Sequence, residues 1–185
     1  MNNIVVIARC YEDLDWVPKL NCKYIIYNKG GHLIQDSITL ENIGREGHTY
    51  LTHILNNYNN LSEYITFCQG NPFPHCCDFI NQVNNFDSKL MWIPLGTLYT
   101  DNPNPKGYYN KEICGIIDTM PKIHIPWNIA PVTFNMGAHH IIHKQLILNK
   151  SLAWWKNCFD VYNSNPLSPW IFERIWQFIF KHSDL

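Results

Sequence analysis

No excess charge of either sign runs through this sequence: Lys and Arg number 14 against 15 Asp and Glu, for a formal net charge of -1. A chain so balanced has no basic surplus with which to follow a nucleic-acid backbone or an anionic membrane, so no nucleic-acid partner is expected. Long apolar runs are missing as well. The stretch Ile4 to Ala8 is cut by Arg9, too short for a secretory leader, and no later segment approaches the length of a membrane span. A soluble, cytoplasmic chain with no transmembrane segment is expected. Neither CxxC spacing nor an even cysteine framework occurs, so the 7 cysteines read as reduced thiols, Cys76-Cys77 being a vicinal pair and not a zinc knuckle. Gly-x-Gly-x-x-Gly, Walker and Gly-x-Ser-x-Gly signatures are absent, which argues against dinucleotide enzymes, P-loop enzymes and serine hydrolases. There are no internal repeats and no evident linker.

What is present suits one α/β domain over residues 1–185, 46% hydrophobic with 7 Trp and 10 Tyr. The runs Ile4–Ala8, Tyr24–Tyr27 and Tyr64–Phe67 are continuously apolar, and each gives way at once to polar residues: Arg9 to Asp13, Asn28 to Gly31, Gln69 to Asn71. Such strands, separated by helical segments, predict a mostly parallel, Rossmann-like sheet with helices on both faces and a ligand crevice at its carboxyl ends. Helices are expected at Glu12–Val17, stopped by Pro18; after Gly44; at Cys76–Phe86; at Lys144–Tyr162; and at Ser168–Phe180. A strand is expected over Gly137–His143. The region around 88–132 is proline-rich and irregular and reads as an acceptor loop or lid.

The most informative stretch is Glu41 to Leu55. Its glycine-bracketed Arg45-Glu46 turn feeds an amphipathic helix with Tyr50, Leu51, Ile54, Leu55 and Tyr58 inward and Thr49, Thr52, His53, Asn56 and Asn57 outward. Gly44 and Gly47 would let the backbone approach a ligand, Arg45 would supply a cationic fork, and the first-turn amides would add positive charge, a combination suited to phosphate. Glu173 and Arg174 sit among apolar neighbours in the last helix. There the acid is either a general base facing the crevice or half of a structural pair. His139, His140 and His143 form a HisHis-x-x-His cluster; on a strand His139 and His143 share a face with Ile141, and one imidazole could reach a substrate or a metal. Gln69-Gly-Asn71 stands where nucleotide-sugar enzymes place paired acids for Mg or Mn, and its amides would instead bind hydroxyls or phosphate oxygens.

The phrases Val5 to Trp16, Ile25 to Gly30, Asn42 to His53, Phe67 to Pro72 and Phe172 to Trp176 together resemble the domain-of-unknown-function 3431 family (DUF3431). That family is similar to compact GT-A-type glycosyltransferases, including a small sugar-transferase domain of large algal viruses. The resemblance implies a GT-A-like fold and transfer of a hexose from a nucleoside diphosphate sugar, such as a UDP-sugar, to a glycan or small-molecule acceptor hydroxyl. It implies that Arg9, Tyr11, Glu12, Asn28 and Lys29 receive the base and ribose. Gly44, Arg45 and His48 would serve the diphosphate, and Gln69, Gly70 and Asn71 would fill the metal-binding slot. Glu173, or else Asp78, would be the catalytic base, with His139, His140 and Arg174 toward the acceptor. Mn or Mg is the cofactor to consider. Two competitors are a non-catalytic glycan- or nucleotide-binding module on the same fold, and a metal-dependent hydrolase built on His139, His140, His143 and Asp78.

Overall fold

The computed structural model describes residues 2–101 and 132–181. Strand β1 (Asn3–Arg9) lies in a six-stranded sheet with β2 (Lys23–Asn28), β3 (Ser37–Thr39), β4 (Tyr64–Gln69), β5 (Trp92–Pro94) and β8 (His140–His143), in the order β3-β2-β1-β4-β8-β5. β3, β2, β1 and β4 run parallel; β8 is antiparallel to both of its neighbours, so β5 points the same way as β4. β6 (Leu98–Asp101) and β7 (Val132–Asn135) form a separate two-stranded ribbon. The sheet is therefore α/β and mostly parallel.

Alternation along continuously apolar strands covers both faces. Val6, Ala8, Ile65, Phe67 and Ile142 point to one core, with helices α1 (Arg45–Asn57), α4 (Leu152–Ser164) and α5 (Ser168–Lys181). Val5, Ile7, Tyr64, Cys68 and Ile141 point to the other, where Trp16, Val17 and the short helix α2 (Phe79–Asn84) pack. α3 (Lys144–Leu148) follows β8 directly.

Several boundaries differ from expectation. The expected first helix is a single 3-10 turn, Val17–Lys19, which Pro18 opens instead of stopping. The expected Lys144–Tyr162 helix is broken at Asn149-Lys150-Ser151, where Ser151 restarts the chain as the N-cap of α4 by accepting from the Trp154 amide at 3.1 Å. Only His140–His143 of the 137–143 segment is strand; Met136–Ala138 is a 3-10 turn. The irregular region contains β5 and β6 in its first part, and its remainder, 102–131, including the expected lid, lies outside the described residues. In α1, Thr49 and His53 are buried against expectation. His53 meets the Tyr27 hydroxyl at 3.1 Å and the Phe67 ring edge-on, so the helix buries a wider stripe than its apolar residues mark. The six described cysteines are free. Among the described residues, no helix is long and apolar enough to cross a membrane.

Candidate functional site

The chain leaves β1 toward β2 and β3 on one side and returns through α1 to β4 on the other. The sheet thus has its topological switch point at the carboxyl ends of β1 and β4, where ligands of open α/β sheets bind. Arg9 closes β1. Its buried guanidinium donates from Nε to the Glu12 carbonyl (2.8 Å) and from Nη1 to Asn28 Oδ1 (2.8 Å) and the Cys10 carbonyl (3.2 Å). Arg9 thereby clamps two strand ends together, with its Nε and Nη1 donors committed to the protein. Glu12 turns back, its Oε2 accepting from the amides of Cys10 (2.6 Å) and Tyr11 (3.1 Å). A Cβ at position 70 would lie 2.6 Å from that oxygen, so Gly70 lets β4 end this close to the β1 loop without displacing the Glu12 carboxylate. Trp16 Nε1 donates to the Gly70 carbonyl at 2.9 Å, and Tyr11 stays 64% exposed at the rim.

The start of α1 is drawn to the same edge. Lys29 Nζ donates to the carbonyls of Ile43 and Arg45, both at 2.5 Å, and burial lowers its pKa to about 8. Gly44 and Arg45 both adopt left-handed backbone, φ 60° and 47°. The expected open approach at Gly44 and Gly47 is not found. A Cβ on Gly47 would lie 2.5 Å from the Tyr162 hydroxyl and one on Gly44 2.9 Å from the same ring, so the space the glycines leave is filled by Tyr162. Arg45 itself is 56% exposed, its guanidinium 5.5 Å above the Trp170 ring and its Nε 3.6 Å from Glu46 Oε2.

Two carboxylates lie within electrostatic reach of each other behind Arg45. Glu46 is 8% exposed and accepts from its own amide and from the Gln69 side chain; burial raises its pKa, and Glu173 adds to the rise. Glu173, on α5, accepts from the Gly137 amide at 2.7 Å and lies 3.8 Å from Arg174 Nη1. Arg174 donates to the Trp170 carbonyl at 2.8 Å and covers the Phe134 ring at 4.7 Å.

Arg9, Tyr11, Glu12, Asn28, Lys29, Gly44, Arg45, Gln69, Gly70 and Glu173 therefore gather at one edge, with Asn71 exposed beside them, its Oδ1 accepting from Phe73 N at 3.3 Å. Of the rest, His48 lies beside Gly44 but is turned inward, and the others stand elsewhere. Asp78 is exposed at the start of α2, on the opposite face from α5, and accepts from Asn81. His48 is buried with its ring 5.2 Å from Phe159, and burial lowers its pKa to about 4. His139 is buried beneath Gly137, against Phe79 and His75. His140 is on the other face, between Trp92 and Phe180, and His143 packs on Tyr64. The histidine cluster is thus split across the sheet. Among the described residues, no group of three His, Cys, Asp or Glu is placed to hold a metal. Gln69 and Asn71 are amides, of which Gln69 is bonded to Glu46, so the expected slot does not fit Mn or Mg.

Sequence reasoning missed Glu46, Tyr162 and Trp170. Glu46 had a signal: extending the inward helical stripe back one turn from Tyr50 lands on it, and a carboxylate on a buried stripe marks a candidate site. A family model described as "Protein of unknown function (DUF3431)" matches residues 4–126. No curated protein and no solved structure matches the chain. The chain belongs to the DUF3431 family.

Proposed function

We propose, for this member of the DUF3431 family, that the crevice is a nucleotide-sugar transferase site. The observation that carries the reading is the grouping of Lys29, Arg45 and Glu46 at the start of α1, with Glu173 in electrostatic reach of Glu46, beside the switch point of the sheet. Arg45, half exposed and resting on Trp170, would turn to the diphosphate and offset the charge that grows as it departs, helped by Lys29. Tyr11 and Glu12 would line the base and ribose pocket, with Arg9 and the buried Asn28 holding their loops in place. A carboxylate of the Glu46–Glu173 pair would take the proton from the acceptor hydroxyl as it attacks the anomeric carbon.

A melting screen across nucleoside diphosphate sugars tests this, since a ligand that binds the native state raises its stability by mass action. A selective donor shift, lost in Arg45→Ala, is expected; no shift with any donor rejects the reading. A binding module is the second reading, favoured by amides at positions 69 and 71. Slow release of free sugar from the donor, suppressed when a carboxylate of the pair is neutralised to Gln, separates the enzyme from the module.

A further inference from the structure

We propose that Glu46 is the proton-exchanging group of this crevice, with Glu173 as its anchored neighbour. The inference deepens the transferase reading and rests on it for the identity of the substrate.

The two carboxylates differ in their attachments. Glu173 has one oxygen on the Gly137 amide at 2.7 Å and the other toward Arg174, an arrangement that holds a negative charge in place. Glu46 is almost fully withdrawn from water on the first turn of α1, with Glu173 as a like charge. A second observation points the same way. One turn along the helix, the Tyr50 hydroxyl is fully buried with no hydrogen-bond partner, and it is within electrostatic reach of both Glu46 and Glu173. An orphaned hydroxyl within electrostatic reach of the buried Glu46 and the half-buried Glu173 marks a place for a further hydrogen-bonding group, a water or the hydroxyl of a bound acceptor. The other groups facing Glu46 are Arg45 and Gln69, Lys29 from the end of β2, and Tyr162 from α4. Arg45, 3.6 Å away with its side chain 56% exposed, is its nearest cation.

In the transfer step the acceptor O–H bond breaks and its proton passes to the Glu46 carboxylate. The oxygen keeps the electron pair and forms the bond to the anomeric carbon. The bond from that carbon to the diphosphate breaks, and its electrons leave with the diphosphate.

The test is a carboxyl-carbon NMR titration of glutamate-labelled protein, run on wild type, Glu46→Gln and Glu173→Gln. One resonance is expected to titrate well above the other glutamates, to vanish in Glu46→Gln and to move toward the ordinary range in Glu173→Gln. Uniform titration of all glutamates, or a high-titrating signal that survives Glu46→Gln, overturns the assignment. Donor hydrolysis measured alongside should fall about 100-fold in Glu46→Gln. A wild type that turns over no donor while its Glu46 still titrates high removes the transferase reading and leaves the proton assignment standing.

Discussion

The Tyr162 hydroxyl donates to the Gly44 carbonyl at 2.6 Å, across 118 residues of chain, and so fastens the left-handed entry of α1 to the middle of the helix bundle. On the other side of the same turn, Lys29 Nζ grips the carbonyls of Ile43 and Arg45. A backbone bend that costs energy at a non-glycine residue persists only where its surroundings over-determine it, and here two donors do so.

Removing one of those donors gives the first prediction. Tyr162→Phe should destabilise the protein by about 1 kcal/mol, the net worth of one hydrogen bond. Gly47→Ala should cost more, about 1–3 kcal/mol, because its methyl would meet the Tyr162 oxygen at 2.5 Å. The two losses should be less than additive in the double variant, since the closest clash goes with the hydroxyl. Urea midpoints of the four proteins measure this, and strict additivity would show that the contact is not the cause.

Arg45 at φ 47° yields the second. A side chain in left-handed backbone carries about 1 kcal/mol of strain that glycine avoids. Arg45→Gly should therefore be at least as stable as Arg45→Ala, the reverse of the order at an ordinary helix position. Thermal melts of the pair decide it; an alanine variant clearly more stable than the glycine one would mean that the bend is not kept.

Much of this was legible before the fold was known. The three apolar runs are parallel strands, and their polar ends do converge, because continuous hydrophobicity and an abrupt polar stop are properties of the local sequence. The approach of α5 to Gly137 was not legible, since it depends on how a helix lies across the sheet, and Glu173 alone could be read as base or as structural pair. The glycines of the α1 entry misled for a related reason. A missing Cβ shows that something comes close, and only packing reveals that the neighbour is Tyr162 and not a ligand. In the same way the histidine cluster had the right strand alternation, yet spacing could not show that both faces are buried.

The third prediction concerns that cluster. His140 is 1% exposed, lies tilted against Trp92 and edge-on to Phe180, and has neither ring nitrogen hydrogen-bonded. Burying an imidazole without partners costs about 1–3 kcal/mol, and a phenyl ring of similar size incurs no such penalty. His140→Phe should raise the melting temperature and leave donor binding unchanged. A drop in stability would mean that the ring nitrogens have partners after all, and a loss of binding would return His140 to the acceptor side.

Acid should unfold the protein through its buried histidines, which is the fourth prediction. Burial lowers the pKa of His53 to about 4 and of His139 and His140 to about 3, from 6.5 in the unfolded chain. Between about 6.5 and about 3 the unfolded state binds protons that the folded state refuses. The contribution of these rings is therefore complete above about 6.5 and lost as pH falls toward their folded values. Each adds up to about 1.4 kcal/mol per pH unit within that window. Glu46 acts in the opposite sense, since its raised pKa means that the folded state takes up a proton first, and one carboxyl cannot offset three imidazoles. Urea unfolding at a series of pH values should show stability falling steeply below about 6.5, with a shallower slope in His140→Phe. A flat profile down to pH ~4 would mean that these rings are protonated, and hence solvated or paired, in the native protein.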